Sequence, residues 1–143
     1  MRWSGGCQCG KVRFQVEGEL GRPSICHCRM CQKATAGPFG AFVTVDRDRL
    51  TWAGQEPARF QSSNLVHRGF CPHCGTPLTF ETDKSFDLAI FAFDDPAAIK
   101  PVTQLEPESA VPWVAHIAEL EVQRPPEGYY QRIRSYQHPD HNT

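Results

Sequence analysis

The sequence predicts a single, mainly β domain carrying one or two short helices, and three observations predict it. Its 143 residues fall within the usual size of one domain, and a chain of that length buries roughly two-thirds of its unfolded surface. About eight short segments rich in β-branched and aromatic residues recur between glycine and proline turns. Helical spacing is confined to two stretches, 27–35 and 129–136, and no repeat or linker divides the chain.

The elements follow in order. After Gly5-Gly6-Cys7-Gln8-Cys9-Gly10, where glycines let the backbone approach a bound ion, Lys11 to Glu17 alternates with Val12, Phe14 and Val16 on one face, the pattern of a half-buried strand. Gly18 to Pro23 turns the chain, and Ser24-Ile25 leads into the central cysteines. Nothing between His27 and Thr35 breaks a helix, and Gly37-Pro38 stops one. That helix would set Cys28 and Cys31 on one face, with Cys26 approaching from the strand side and Arg29 and Lys33 on the neighbouring surface.

Phe39–Val45, Leu50–Ala53, Ala58–Gln61, Leu65–Phe70, Pro77–Glu81 and Phe86–Phe93 carry strand composition, and Asp46–Arg49 is a charged turn. Phe86–Phe93 is apolar on both faces and belongs in the middle of a sheet. Asp95 and Pro96 start one helical turn. Later, Trp113 and Val114 are expected to pack on the body. Tyr129, Ile133 and Tyr136 fall at the spacing of a short amphipathic helix that docks its rings. The domain is expected to span 1–137, with the polar 138–143 as a frayed tail.

Fifteen Lys and Arg balance sixteen Asp and Glu, which argues against nucleic acid or a charged membrane surface as partner. No apolar run approaches the ~20 residues that span a bilayer, and the N-terminus has no secretory h-region. The expected compartment is the cytoplasm, where thiols stay reduced.

Seven cysteines in a reducing setting need a purpose other than disulfides, and their odd number and clustering point to metal. Cys7 and Cys9 form C-x-C, Cys26, Cys28 and Cys31 form C-x-C-x-x-C, and Cys71 and Cys74 form C-x-x-C. The two distant pairs can complete one closed four-thiolate zinc site. Closing that loop of about 60 residues costs on the order of 3–4 kcal/mol, against roughly 10–16 kcal/mol from a structural zinc. Cys26, Cys28 and Cys31 remain one ligand short of a tetrahedron, so the fourth position is left to water, a substrate or a histidine. His27, His67, His73 and His116 are the candidates for a histidine ligand, although His27 and His73 lie between cysteines and are expected to face solvent.

These motifs, with Ser62-Ser63 and Phe70-Cys71-Pro72-x-Cys74-Gly75-Thr76-Pro77-Leu78, resemble the glutathione-dependent formaldehyde-activating enzyme family, whose domain also occurs in centromere protein V. The likeness runs over roughly residues 3–95. It implies the β-tent zinc fold of short antiparallel sheets and about two zinc ions per chain. One would be structural at Cys7, Cys9, Cys71 and Cys74, and one catalytic at Cys26, Cys28 and Cys31. It further implies the activity of an S-(hydroxymethyl)glutathione synthase, a carbon–sulfur lyase. The partners would be a thiol such as glutathione and a small aldehyde, in a detoxification role. Gln104 stands where the family often carries histidine, and the acidic-leucine-proline ending is absent.

The chemistry expected of the open site is addition of a thiolate to an aldehyde carbon, with Arg29 and Lys33 available to steer the carboxylates of a thiol such as glutathione. No residue stands out as general acid or base. Three thiolates leave a zinc complex with net negative charge, which weakens it as a Lewis acid. The rival expectations are a zinc-stabilised binding or thiol-carrier module without turnover, and a thiol-redox role for the same cysteines.

Overall fold

The computed structural model describes residues 1–142, and they form a mainly β domain of two sheets. The smaller sheet has the order β1-β2-β5, from β1 (Arg2–Gly6), β2 (Val12–Glu17) and β5 (Leu50–Gly54). The larger has the order β10-β3-β4-β9-β8-β7-β6. Its strands are β3 (Pro23–Cys26), β4 (Gly40–Thr44), β6 (Ala58–Gln61), β7 (His67–Phe70), β8 (Thr79–Glu81), β9 (Phe86–Ala89) and β10 (Thr103–Leu105). All pairings are antiparallel except that of β10 with β3.

The predicted alternation of β2 puts Val12, Phe14 and Val16 fully inside. Phe14 meets Trp52 and Phe93 edge to face, with centroids 6.0 and 5.0 Å apart, and burying such a ring contributes ~1.5–3 kcal/mol before packing geometry is added. Val43 and Leu88 of the larger sheet, with Leu78 just before β8, join the same core. A single bridge, Gly5 to Phe93, ties β1 to the chain that follows β9.

Arg13, between two core residues of β2, is buried as well. Its guanidinium grips Asp94 through two hydrogen bonds of 2.8 and 2.6 Å, and Ser4 donates to the same carboxylate. Burial favours the neutral acid, but the Arg13 and Ser4 hydrogen bonds outweigh it and hold the Asp94 carboxyl below the usual carboxylate range.

Several expectations are corrected. The helix α1 runs over Arg29–Thr35 and starts after Cys28, which is its N-cap: the Cys28 sulfur accepts the Cys31 N–H at 3.3 Å. β9 is central as expected, but the chain curls into a 3₁₀ turn at Ile90–Ala92. The C-terminal helix is a single turn, α2 (Tyr129–Arg132), and its rings do not dock. Tyr136 is 81% exposed and Trp113 57%. The polar end also touches the body: His138 N–H donates to the Gln8 carbonyl, and Arg13 donates to Asn142 Oδ1. Thr143, the last residue of that tail, lies outside the described residues.

Candidate metal centres

Cys7, Cys9, Cys71 and Cys74 converge, with all four sulfurs within 4.8 Å of one another. Two turns of the same design deliver them. Each carries its second cysteine just before a glycine at positive φ, Gly10 or Gly75, whose N–H closes the turn on the carbonyl of the first, Cys7 or Cys71. The sulfur contacts come from Val12 N–H to Cys7 (3.3 Å) and His73 N–H to Cys71 (3.4 Å).

The sulfurs of Cys7 and Cys9 are 3.5 Å apart, and those of Cys9 and Cys71 3.8 Å. A tetrahedral zinc with Zn–S of ~2.3 Å sets its sulfurs ~3.8 Å apart, so this group fits zinc closely. All seven cysteines are free thiols. Burial pushes the Cys7 thiol up to about 12, whereas Cys74 falls to about 6, because hydrogen bonding with Thr76 outweighs the effect of its burial. Buried thiols of this kind gain most from a cation that allows them to ionise.

The second group, Cys26, Cys28 and Cys31, also brings its sulfurs within 4.8 Å. β3 carries Cys26, the cap position carries Cys28 and the first turn of α1 carries Cys31. Among the described residues no histidine or carboxylate joins them. His27, expected to face solvent, is buried, with Nε2 3.0 Å from Gln104 Oε1. Gln104 thus serves as partner to His27. His73 is exposed and bonds Gln55.

The three sulfurs border a cavity of ≈ 220 Å³ whose other walls are Ser24, Met30, Phe42, Ser62, Ser63, Val66, Arg68, Phe80, Asp87 and Leu105. Strand register accounts for this set. Leu105 pairs with Cys26, Ser24 with Phe42, and Phe80 with Asp87, so these side chains share one face of the larger sheet. The face also receives Arg68, opposite Phe60 in the β6–β7 ladder.

Arg68 is buried and went unnoticed in the sequence. Its Nη2–H reaches Cys31 Sγ at 3.5 Å, its Nε–H donates to Ser62 Oγ at 2.9 Å, and its guanidinium lies 5.0 Å from the Phe80 ring centre. Burial pushes the Cys31 thiol up despite Arg68, which pulls it down. Burial likewise takes Cys26 to about 12, and Cys28 is lowered because the Cys31 N–H and the neighbouring thiols outweigh its burial. Arg29 and Lys33, expected to steer substrate, do not line the cavity, and Arg29 bonds Gln32 on its own helix.

The family model for the glutathione-dependent formaldehyde-activating enzyme matches residues 2–109, which include both cysteine groups. The chain belongs to that family. Among curated proteins none matches the chain. A solved structure of a Rhodobacter sphaeroides protein shares the fold at 17% identity and a TM-score of 0.56, covering 71% of this chain and 98% of that one. The family match ends beside Ser109, whose carbonyl accepts from the buried Gln32 of α1, so it takes in the whole wall of the three-cysteine cavity. Among the described residues no helix is long and apolar enough to cross a membrane.

Proposed function

We propose that this family member joins a thiol of the glutathione type to formaldehyde or another small aldehyde, acting as a carbon–sulfur lyase in the reverse direction. The observation that carries this reading is the contrast between the two sulfur groups. Four sulfurs close on one another, whereas three border a cavity large enough for a small adduct. Cys7, Cys9, Cys71 and Cys74 would hold a structural zinc, and Cys26, Cys28 and Cys31 a second, catalytic one. When bound there, zinc supplies Lewis acidity and keeps a thiol deprotonated at neutral pH.

The residues of the chain do the rest. Arg68 places a positive charge beside Cys31 and offsets the surplus negative charge of three thiolates. Phe42, Phe80, Val66 and Leu105 give the cavity an apolar lining that limits water around the reacting carbon. Ser62 and Ser63 offer hydroxyls to an oxygen of the adduct. Reduced thiols throughout fit a cytoplasmic setting.

The test is exchange between formaldehyde, glutathione and S-(hydroxymethyl)glutathione, followed by NMR with the zinc-loaded protein. A rate unchanged by the protein across several thiols would refute the synthase reading. A second reading, a thiol carrier without turnover, draws support from the lining: its one guanidinium is committed to Ser62 and Cys31, which leaves the carboxylates of glutathione without a cation there. Saturable thiol binding with no rate effect would favour the carrier.

A further inference from the structure

We propose that Asp87 is the proton-transfer group of the three-cysteine cavity, giving a proton to the aldehyde oxygen as the carbon–sulfur bond forms and recovering it as that bond breaks. This rests on the thiol–aldehyde reading above and supplies the acid and base it lacked.

Position comes first. Asp87 lies mid-strand in β9, opposite Thr44 of β4 on one side and Phe80 of β8 on the other. Register therefore sends it to the face that carries Cys26, and it is the one carboxyl among the cavity's lining residues. A carboxyl placed there for structure alone would be expected to have a full set of partners. Asp87 does not: among the described residues its buried Oδ1 has no hydrogen-bond partner.

The groups around it do little to hold the carboxyl in its charged form. Phe80 and Phe42 bring no charge from β8 and β4, and Thr44 offers a hydroxyl. Arg68 of β7 is the cation on this face, and it forms no ion pair with Asp87 among the described residues; it is turned to Ser62 and Cys31. The thiols of β3 and α1 add no positive charge, and Glu106, outside the lining, adds a negative one near Cys28. Burial accordingly pushes the Asp87 carboxyl above its usual range, and the Thr44 hydrogen bond only partly opposes this. A carboxyl whose proton is held more tightly in an apolar cavity is suited to general-acid work.

The step balances without an oxidant or reductant. The thiol ionises and its proton leaves to solvent. The sulfur's electron pair forms the bond to the carbonyl carbon while the C=O π pair moves to oxygen. That oxygen takes the Asp87 proton, and the carboxylate regains one from water. In reverse, the Asp87 carboxylate removes the hydroxyl proton as the C–S bond breaks and the pair returns to sulfur.

The experiment uses the zinc-loaded full chain and two readouts. Carboxyl-¹³C NMR of aspartate-labelled wild type should show Asp87 protonated well above the ordinary carboxylate range; a carboxyl that ionises in or below that range overturns the proposal. Asp87→Asn, checked for unchanged fold, zinc content and thiol affinity, should lose about 10²-fold or more of the adduct exchange rate. Wild-type addition should slow as pH rises through the Asp87 titration, and the variant should lose that limb. If wild type accelerates exchange and Asp87→Asn matches it, Asp87 has no such role and the synthase reading stands. If wild type does not accelerate exchange, that reading fails and this one with it.

Discussion

A single arginine in an alternating strand shows how much one residue can carry. Arg13 occupies a position that alternation would give to solvent, yet it is buried because Asp94, 81 positions later, returns to meet it. Removing one partner of a largely buried pair costs ~3–5 kcal/mol, since the other charge is left uncompensated. Asp94→Asn should therefore lower the urea-unfolding free energy by about 3 kcal/mol at neutral pH and constant zinc. The sign with pH follows from the depressed carboxyl. The stabilisation is fully present above the unfolded value of ~3.9 and fades as pH falls through the lower folded value, so the difference between wild type and variant should close only in that acid window. Arg68 makes the corresponding prediction for metal. Burial disfavours the ionised forms of Cys26 and Cys31, and the three thiolates would form a negative complex around zinc, which a neighbouring guanidinium favours. Arg68→Met should weaken zinc at that site about 10-fold or more in chelator competition, and Arg68→Lys less. Neither residue was legible as functional in the sequence, because both roles depend on a partner far along the chain.

Among the elements, the local ones were legible and the long-range ones were not. Val12, Phe14 and Val16 announced β2 through period two, and Ala58–Gln61 appears as β6 with the expected bounds. β10 was missed because Thr103–Leu105 has no strand composition of its own; it is a strand because β3 offers it a parallel edge. The cysteines were legible by spacing, but Cys28 was placed on a helix face when it caps the helix, since a sulfur acceptor is an unusual cap. Asp87 was passed over for a related reason. It sits in an apolar run, and only the register of β9 shows that it faces the cysteines. The seam between the sheets is set by an equally quiet residue. A Cβ on Gly5 would press on the Ala92 carbonyl and lie 2.7 Å from Phe93 Cα, both backbone atoms that cannot swing aside. Gly5→Ala should cost ~1–3 kcal/mol or more, read as a lowered urea midpoint with unchanged slope.

For the molecule as a whole, the sulfur groups differ in what depends on them. The four-cysteine group joins the turn after β1 to the turn after β7, so losing one ligand removes a staple between distant parts of the chain. The three-cysteine group joins only neighbours, the end of β3 and the start of α1. Cys9→Ser should therefore give a chain that circular dichroism shows largely unfolded, whereas Cys28→Ser should stay folded and lose about one of two zinc ions by metal analysis. If both variants unfold, or both stay folded with the same metal loss, the division of roles is wrong.

Burial draws a second line across the molecule. Ile99 is the last buried residue among those described, and from Glu106 to Gln137 the chain lies outside the core, with Trp113, Ile117, Leu120, Val122 and Tyr130 exposed. A segment that removes no core side chain from water contributes little hydrophobic stabilisation to this chain. Among the described residues, the hydrogen-bonded links from beyond Glu106 to the body are the Ser109 carbonyl on Gln32, the His138 amide on Gln8 and Asn142 on Arg13. A chain ending at Ala110 keeps the first and loses the other two, which comprise one bond from the His138 amide and two from Arg13 to Asn142 Oδ1, each partly solvated with a net value of ~0.5–1.5 kcal/mol. Such a truncation should keep both zinc ions and lose no more than about 4–5 kcal/mol in urea unfolding. A larger loss, or loss of zinc, would show that the exposed segment supports the metal-bearing body through contacts beyond these three.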